Sequence, residues 1–506
     1  MALLRKMARR LIIIGLLMLA QVAVLIVLAL WIATSIPIVV AASWILGLII
    51  VFWLVRKDEP SAYRIPWVII IMGMPAIGGI LYLIFEENPH IKRIDARINA
   101  EHNKLKDLLD GDIETSGMCG RMRGISRYVQ TASSYRPYQN TSSKYYNFGE
   151  YMFEDMLIAM KNAKKFIFVE YFIIAESSMW DMVLEVLADK AAQGVDVRLI
   201  VDDLGGGSLF TRSYTKKVRA NGVKVVRFNP MAPILSRFMN NRNHRKILII
   251  DGQIAFNGGI NISDEYINQC SRLGVWKDAG VRLEGDAVSA FTHMFIKIWN
   301  ASCRASECIP DHSTYKNNGD FAPLSDGFIM PYDDSPLANE HLGENVYIDI
   351  LNQARNYVYI FTPYLIISEN MIYALKMAAR RGIDVRIVTP GNGDSRTVHR
   401  LTRSYYGYLL KSGVRIYEYT PGMMHSKNFV SDDEIAVVGT INLDYRSLYL
   451  HFECATLLYK TRSIHDIKQD ALNTFAESEE ILLSDDKARL HDKMFDAFLR
   501  MFAALM

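Results

Sequence analysis

Cysteine is scarce in this chain of 506 residues: Cys119, Cys270, Cys303, Cys308 and Cys454 are the complete set. They contain no Cys-x-x-Cys pair and no Cys/His cluster of metal-ligand spacing, which excludes a zinc-built or disulfide-built scaffold and leaves reduced structural thiols as the expectation. An excess of charge of either sign is also missing, since 57 Lys and Arg stand against 54 Asp and Glu for a net charge of +3. Nucleic-acid-binding domains are usually strongly basic, so no nucleic-acid partner is expected, and an anionic substrate must be met by a few local cations. With 50% hydrophobic and 22% charged residues, the composition is that of a folded chain enriched by membrane segments and excludes general disorder.

What is present begins with long apolar runs. Residues 11–33 are uncharged throughout, long enough at about 1.5 Å per residue to cross a hydrocarbon core of about 30 Å. Residues 36–55 form a second run, and 65–85 a third that is interrupted by Pro66, Gly73, Pro75, Gly78 and Gly79. A cleaved signal peptide does not fit a run of this length followed at once by another. Arg5, Lys6, Arg9 and Arg10 precede the first run, Arg56, Lys57 and Arg64 follow the second, and Lys92, Arg93 and Arg97 follow the third. Positive clusters favour the cytoplasmic side; three full crossings cannot place all of them there, whereas two crossings and a re-entrant or interfacial third segment can. The expectation is a multi-pass cell-membrane protein with N-terminal transmembrane helices in residues 1–85 and the rest facing the cytoplasm.

Residues 86–145 are polar, with Ser, Thr, Asn and Tyr clustered from 131 to 143, and read as a linker. Tyr151, Phe153, Met156, Leu157 and Met160 then recur at helical spacing. The pattern predicts a buried strand over 165–173, a helix over 183–192 closed by Gly194, a strand over 195–201, a helix over 214–220 and a strand over 223–228. The same succession returns as a helix over 337–355, a strand over 357–362, a helix over 371–381 closed by Gly382 and a strand over 383–388. Two copies at so long a period mean duplicated domains, and β-branched runs alternating with helices predict an α/β fold with helices on both faces of each sheet. The first half is placed at 146–320 and the second at 321–506, with the boundary in the Asn-, Asp-, Gly-, Ser- and Pro-rich stretch between Pro310 and Pro336.

The repeat carries chemistry. His244, Lys246 and Asp251 and, 181 residues later, His425, Lys427 and Asp432 share the spacing His-x-Lys-x4-Asp. Beyond the aspartates come Gly258-Gly259-Ile260-Asn261 and Gly439-Thr440-Ile441-Asn442 at matching distance. A lone His-x-Lys is most often a solvated strand end; two copies with matched Gly and Asn point to one composite site. Side chains alternate along a strand, so His244 and Lys246 share a face, as do His425 and Lys427. An imidazole attacks phosphorus when neutral and delivers a proton when charged, and two of them divide that labour when their surroundings differ. The lysines supply fixed cations, and the amides of Asn261 and Asn442 supply neutral donors for charge developing on phosphoryl oxygens. No carboxylate cluster for a divalent metal accompanies the motifs, so phosphodiester exchange without metal or cofactor is expected.

This pattern resembles the phospholipase D superfamily over roughly residues 146–506. The resemblance implies two α/β/α sandwich halves related by pseudo-twofold symmetry, with both motifs at one cleft. It implies that His244 is the nucleophile, transiently phosphorylated, and that His425 is the general acid and then base. Asp251 and Asp432, although motif residues, are implied to fix local geometry. Glu453, eleven residues after Asn442, and Asp278 are implied to orient the histidines. Gly259 departs from the pattern, where a hydroxyl residue is common; Thr440 keeps the hydroxyl, and the departure is expected to touch one phosphate contact.

The runs 75–85, 146–156, 169–174 and 361–366 are similar to bacterial cardiolipin synthases. That narrower resemblance implies transphosphatidylation of two phosphatidylglycerol molecules to cardiolipin and glycerol through a phosphatidyl-histidine, with membrane lipids as partners. A hydrolytic phospholipase D or another phosphatidyltransferase would use the same residues, and a membrane-tethered nuclease would need a basic groove. Met231, Ile234, Leu235, Phe238 and Met239, interleaved with Arg237 and Arg242, and likewise Met423 and Met424, precede the motifs either as a lipid-facing lip or as packing between the halves. Met494, Phe495, Phe498, Met501, Phe502 and Leu505 recur at helical spacing and are expected to pack into a core. Topology reporters fused after Val55 and after Phe85 are expected to report the same side of the membrane; opposite sides would rule out a re-entrant third segment.

Overall fold

The computed structural model of the chain describes residues 37–57, 60–86, 89–109, 117–231, 237–270, 272–316, 326–485 and 490–505, and positions 12, 15–17, 19–21, 23, 24 and 27 ahead of them. It divides into one compact unit of Met1–Asp95, Pro230–Asn241 and Ala488–Met506 and another of Ala96–Asn229 and Arg242–Lys487.

The larger unit holds two sheets of one design. The first sheet and its margins contain β1 (Thr141–Tyr146), β2 (Phe166–Tyr171), β3 (Asp196–Asp202), β4 (Lys224–Phe228), β5 (Lys246–Ile250), β6 (Ile254–Gly258), β7 (Val275–Lys277) and β8 (Gly280–Gly285). The second contains β9 (Phe328–Asp334), β10 (Tyr357–Phe361), β11 (Leu365–Ile366), β12 (Asp384–Pro390), β13 (Arg415–Tyr419), β14 (Gly422–Met424), β15 (Asn428–Ser431), β16 (Ile435–Gly439), β17 (Leu443–Asp444), β18 (Glu453–Tyr459) and β19 (Ser478–Ile481). Strand order is β1-β8-β6-β5-β2-β3-β4 in one and β9-β18-β16-β15-β10-β12-β13-β19 in the other, the same plan with one added edge strand. In both, the three strands reached through helical crossovers, β2-β3-β4 and β10-β12-β13, are parallel, and the motif strands β5 and β15 join them antiparallel.

Local chemistry explains the elements. β2 and β10 are buried along their whole length, as apolar strands covered on both faces must be. The helices begin at side-chain caps: Ser177 accepts from the Trp180 amide, Thr211 from Tyr214, Ser368 from Met371 and Ser395 from Val398. Three of them start two to five residues earlier than apolar periodicity predicts, at Ser178, Arg212 and Glu369, and the helix Arg396–Leu410 is not predicted by it. Gly194 and Gly382, at φ +88 and +90, follow two of the helices in the left-handed conformation that glycine adopts without a Cβ penalty.

The stretch 86–145, expected as a linker, is largely ordered structure. The helix Gly120–Ser133 packs on the helix Leu342–Gln353, and its Arg121 pairs with Glu434 at 2.7 Å. The polar residues after it form β1, which pairs with β8 and edges the first sheet. An edge strand with a mixed burial pattern has no apolar run, which is why it reads as loop. The expected boundary between the halves falls at 320/321, outside the described residues.

In the smaller unit, Pro37–Arg56 is helical and the third apolar run is a hairpin of Ser61–Gly73 and Pro75–Glu86, broken at Met74. Gly78 permits the close approach: a Cβ there would stand 2.7 Å from Ile70 O. Trp67 packs edge-on against Tyr82 at 5.2 Å. The run expected at 11–33 lies mostly outside the described residues, and side chains of Pro37–Arg56 are described without a break only from Ala41. Among the described residues no helix is long and apolar enough to cross a membrane. The C-terminal helix Leu490–Met501 overturns the expectation of core packing: Leu499 is buried, while Met494, Phe495 and Phe498 are 67%, 49% and 54% exposed. Met423 and Met424 lie fully buried in β14, packed instead of forming a lip; residues 232–236 of the other proposed lip are outside the described set.

Asp251 and Asp432 serve this framework. The Asp251 carboxylate accepts from the backbone N–H groups of Lys164, Lys165 and Phe166 at 2.7–2.9 Å, and Asp432 from those of Arg355, Asn356 and Tyr357 at 2.8–3.1 Å. Each clamps the start of the central strand, β2 or β10. Both aspartates sit at φ +55, a conformation Asp tolerates better than most residues. Asp251→Ala is expected to lower stability by about 1–3 kcal/mol, read by denaturation, with turnover of the folded fraction preserved. Lost turnover at unchanged stability would place Asp251 at the reaction centre.

Candidate active site

Each histidine stands immediately before a motif strand, where the chain leaves its own sheet and pairs with the other half. The His244 amide donates to Phe452 O at 2.9 Å, and the Phe452 amide donates to Arg242 O at 2.8 Å. The His425 amide donates to Lys277 O at 2.7 Å, continuing the parallel pairing of β14 with β7. The contacts are reciprocal, as a twofold relation between halves requires.

This pairing carries the acids across. Phe452 precedes Glu453 and Lys277 precedes Asp278, so each carboxylate is delivered to the opposite half's histidine. His244 Nδ1 lies 2.8 Å from Glu453 Oε1, and His425 Nδ1 lies 2.6 Å from Asp278 Oδ2. Facing a carboxylate, Nδ1 carries the hydrogen in each ring, which leaves Nε2 for a reacting phosphorus or proton. Lys427 Nζ is 2.9 Å from His425 Nδ1, but a protonated Nδ1 cannot accept from it, so the lysine donates to His425 O. Lys246 donates likewise to His244 O at 2.6 Å.

The residue expected to touch phosphate at 259 and 440 has a different duty. Thr440 Oγ1 donates to Glu453 Oε2 at 2.5 Å. At Gly259 a Cβ would stand 2.1 Å from Asp278 Oδ1; the shorter acid of the first half occupies the place where a side chain would start. The departure at Gly259 therefore concerns carboxylate placement. Asn261 differs from expectation, since it accepts from the Ile173 amide at 3.0 Å and donates to Tyr266 Oη at 2.8 Å; the Oδ1 of Asn442 is buried with no partner among the described residues. Asp251 and Asp432 stand at the far ends of β5 and β15 from the histidines.

Burial sets the electrostatics. It lowers His244 to about 3 and His425 to about 4 against the opposing pull of Glu453 and Asp278, so both rings are neutral near pH 7. Burial also lowers Lys246 to about 7 and Lys427 to about 8, again against the two carboxylates. Burial alone would raise Glu453, but His244 holds it well below the usual carboxylate range.

The surroundings of the rings were not legible in the motifs. Phe172 lies 5.0 Å from His244, edge-on, and His451 5.3 Å from it. Tyr266 and Trp276 lie 5.3 and 5.5 Å from His425. Among the described residues, His244, His451 and Glu453 also form a group whose ligand atoms all lie within 4.8 Å of one another. Nothing in the spacing of one motif points to a third histidine; only its place two residues before Glu453 was a signal.

The family described as cardiolipin synthase, PLD-like domain, matches residues 156–299 and 347–477. An uncharacterized protein of Streptococcus mutans is 40% identical, over 90% of this chain and 99% of its own length. Cardiolipin synthase 1 of Bacillus cereus is 30% identical, over 92% of this chain and 94% of its own, and the cardiolipin synthase of Alkalihalophilus pseudofirmus is 29% identical, over 94% and 95%. The crystal structure of phosphatidylserine synthase from Haemophilus influenzae superposes with a TM-score of 0.58 at 13% identity, covering 76% of this chain and all of that one, and shares the fold. With crossed histidine and carboxylate pairs in two repeated halves, and with the family matching more than half its length, the chain belongs to the cardiolipin synthase, PLD-like domain family.

Proposed function

We propose that this phosphatidyltransferase makes cardiolipin and glycerol from two molecules of phosphatidylglycerol. His244 Nε2 attacks the phosphorus of the first lipid, forming a P–N bond as the P–O bond to the headgroup glycerol breaks. His425, having taken a proton from solvent at Nε2 as the anionic lipid binds, gives that proton to the departing glycerol. The terminal hydroxyl of a second phosphatidylglycerol then attacks the same phosphorus, losing its proton to His425, and the P–N bond to His244 breaks. Lys246 and Lys427 balance charge on the phosphoryl oxygens. The observation that carries this reading is the crossed pair of carboxylate-anchored imidazoles; the relatives named cardiolipin synthase favour a lipid acceptor over water.

A membrane setting belongs to the same proposal, with residues 11–33 and 36–55 crossing, 65–85 re-entrant and the catalytic halves on the cytoplasmic side. Support comes from the apolar surface of the smaller unit, where Phe52 is 72% and Ile45 62% exposed, surface that water does not favour.

Purified protein given phosphatidylglycerol alone is expected to release cardiolipin and glycerol in equal amounts. His244→Ala is expected to abolish both, and His425→Ala to slow them by about 10²–10⁴-fold. Phosphatidic acid in place of cardiolipin would make the chain a hydrolase. The pH dependence follows from the lysines: each binds phosphate as a cation, present below its lowered pKa and lost as pH rises through about 7 for Lys246 and about 8 for Lys427. Accordingly kcat/KM is expected to fall as pH rises from about 7, and more steeply above about 8, in the free enzyme. Lys427→Arg, which stays charged, is expected to remove the upper part of that fall, and an unchanged profile would count against a phosphate-binding role.

A further inference from the structure

His451 lies beside His244 without a role in the reaction above. Its backbone is fixed on both sides, by its own amide donating to Arg446 O at 2.8 Å and by Phe452 pairing with the first half. Its ring lies beside that of His244, and Phe172 covers both. Only 9% of the residue is exposed, and Nδ1 is buried with no hydrogen-bond partner among the described residues. Glu453 Oε1 is 3.7 Å away, beyond hydrogen-bond range. A buried ring nitrogen without a partner is costly and points to a missing ligand.

The neighbouring atoms supply the rest of a coordination set. Glu453 Oε1 lies 2.8 Å from His244 Nδ1 and 3.7 Å from His451 Nδ1, and the three ligand atoms lie within 4.8 Å of one another. Tetrahedral zinc with bonds of about 2.0–2.2 Å separates its ligand atoms by about 3.3–3.5 Å, so the observed spacings bracket the requirement. Two imidazoles and one carboxylate suit zinc, whereas magnesium and calcium prefer oxygen alone. Three protein ligands would leave the fourth position to water or to a phosphate oxygen.

We propose that His244, His451 and Glu453 form an inhibitory site for Zn2+, which removes the reactive histidine from service while it is bound. Zinc takes the Nδ1 lone pair of His244 as the hydrogen shared with Glu453 moves to Nε2, so the nitrogen that must attack phosphorus no longer has a free lone pair. No bond to substrate forms or breaks in this step, and a chelator reverses it. Inhibition rests on the phosphodiester-exchange reading; zinc binding does not.

The test uses the full-length protein in detergent micelles with ZnCl2, with MgCl2 as control. Calorimetry is expected to show one zinc site, no magnesium site at the same concentration, and affinity weakened by about tenfold or more in His451→Asn and in His244→Ala, since even outer partners of a metal site are worth about 10–100-fold. Cardiolipin formation by the wild type is expected to be blocked by zinc and restored by a chelator, with the inhibition midpoint of His451→Asn raised by a similar factor. Zinc affinity unchanged in both variants, or equal inhibition of His451→Asn and wild type, would overturn the proposal. A protein that forms no cardiolipin under any condition would overturn the functional reading, and the calorimetric comparison would still decide the site.

Discussion

Two hydrogen bonds of crossed origin, His244 to Glu453 and His425 to Asp278, are the constraint around which the two halves are built. Glu453 and Asp278 are fully buried, and a buried carboxylate is tolerable only with partners. Their histidine partners lie in the opposite half, so separating the halves would leave two anions and two rings unmatched at once. The halves are therefore an obligate pair, joined where the two motifs meet. Further buried contacts reinforce the same junction. Arg245, beside His244, pairs with Glu170 of its own half at 2.7 Å and with Asp333 of the other at 3.3 Å, while Lys277, beside Asp278, pairs with Asp470 at 2.7 Å. Removing one member of such a set costs far more than the set contributes as a whole.

Much of this architecture was legible because it is written in local periodicity. The central strands, the crossover helices and the glycines that close them follow from alternation and helical spacing, and the duplication is visible as repeated text. The crossing of the acids was not. Glu453 is 209 residues from His244, and a motif read along the chain assigns it no particular histidine. Which half it serves is decided by backbone pairing at Asn243 and Phe452, formed only when the halves dock. β1 escaped notice for a different reason: an edge strand is hydrogen-bonded on one side and needs no apolar run. The C-terminal helix misled because helical spacing of apolar residues states that a face will be covered without stating by what. Phe495 and Phe498 stay about half exposed on that face, 49% and 54%.

Duplication also made asymmetry possible, and the two sites have drifted where it matters. A hydroxyl, Thr440, supports the longer acid Glu453, and a bare Gly259 makes room for the shorter Asp278. His244 is flanked by Phe172 and His451, His425 by Tyr266 and Trp276. These are differences of dielectric and of hydrogen-bond supply around otherwise equivalent rings, the kind that separates two titrations. Burial lowers both rings, so both enter the reaction neutral, and the one proposed as acid has to regain its proton when a phosphodiester anion enters between the lysines. In this reading the substrate's own charge completes the acid, so the proton is in place only when there is a leaving group to receive it.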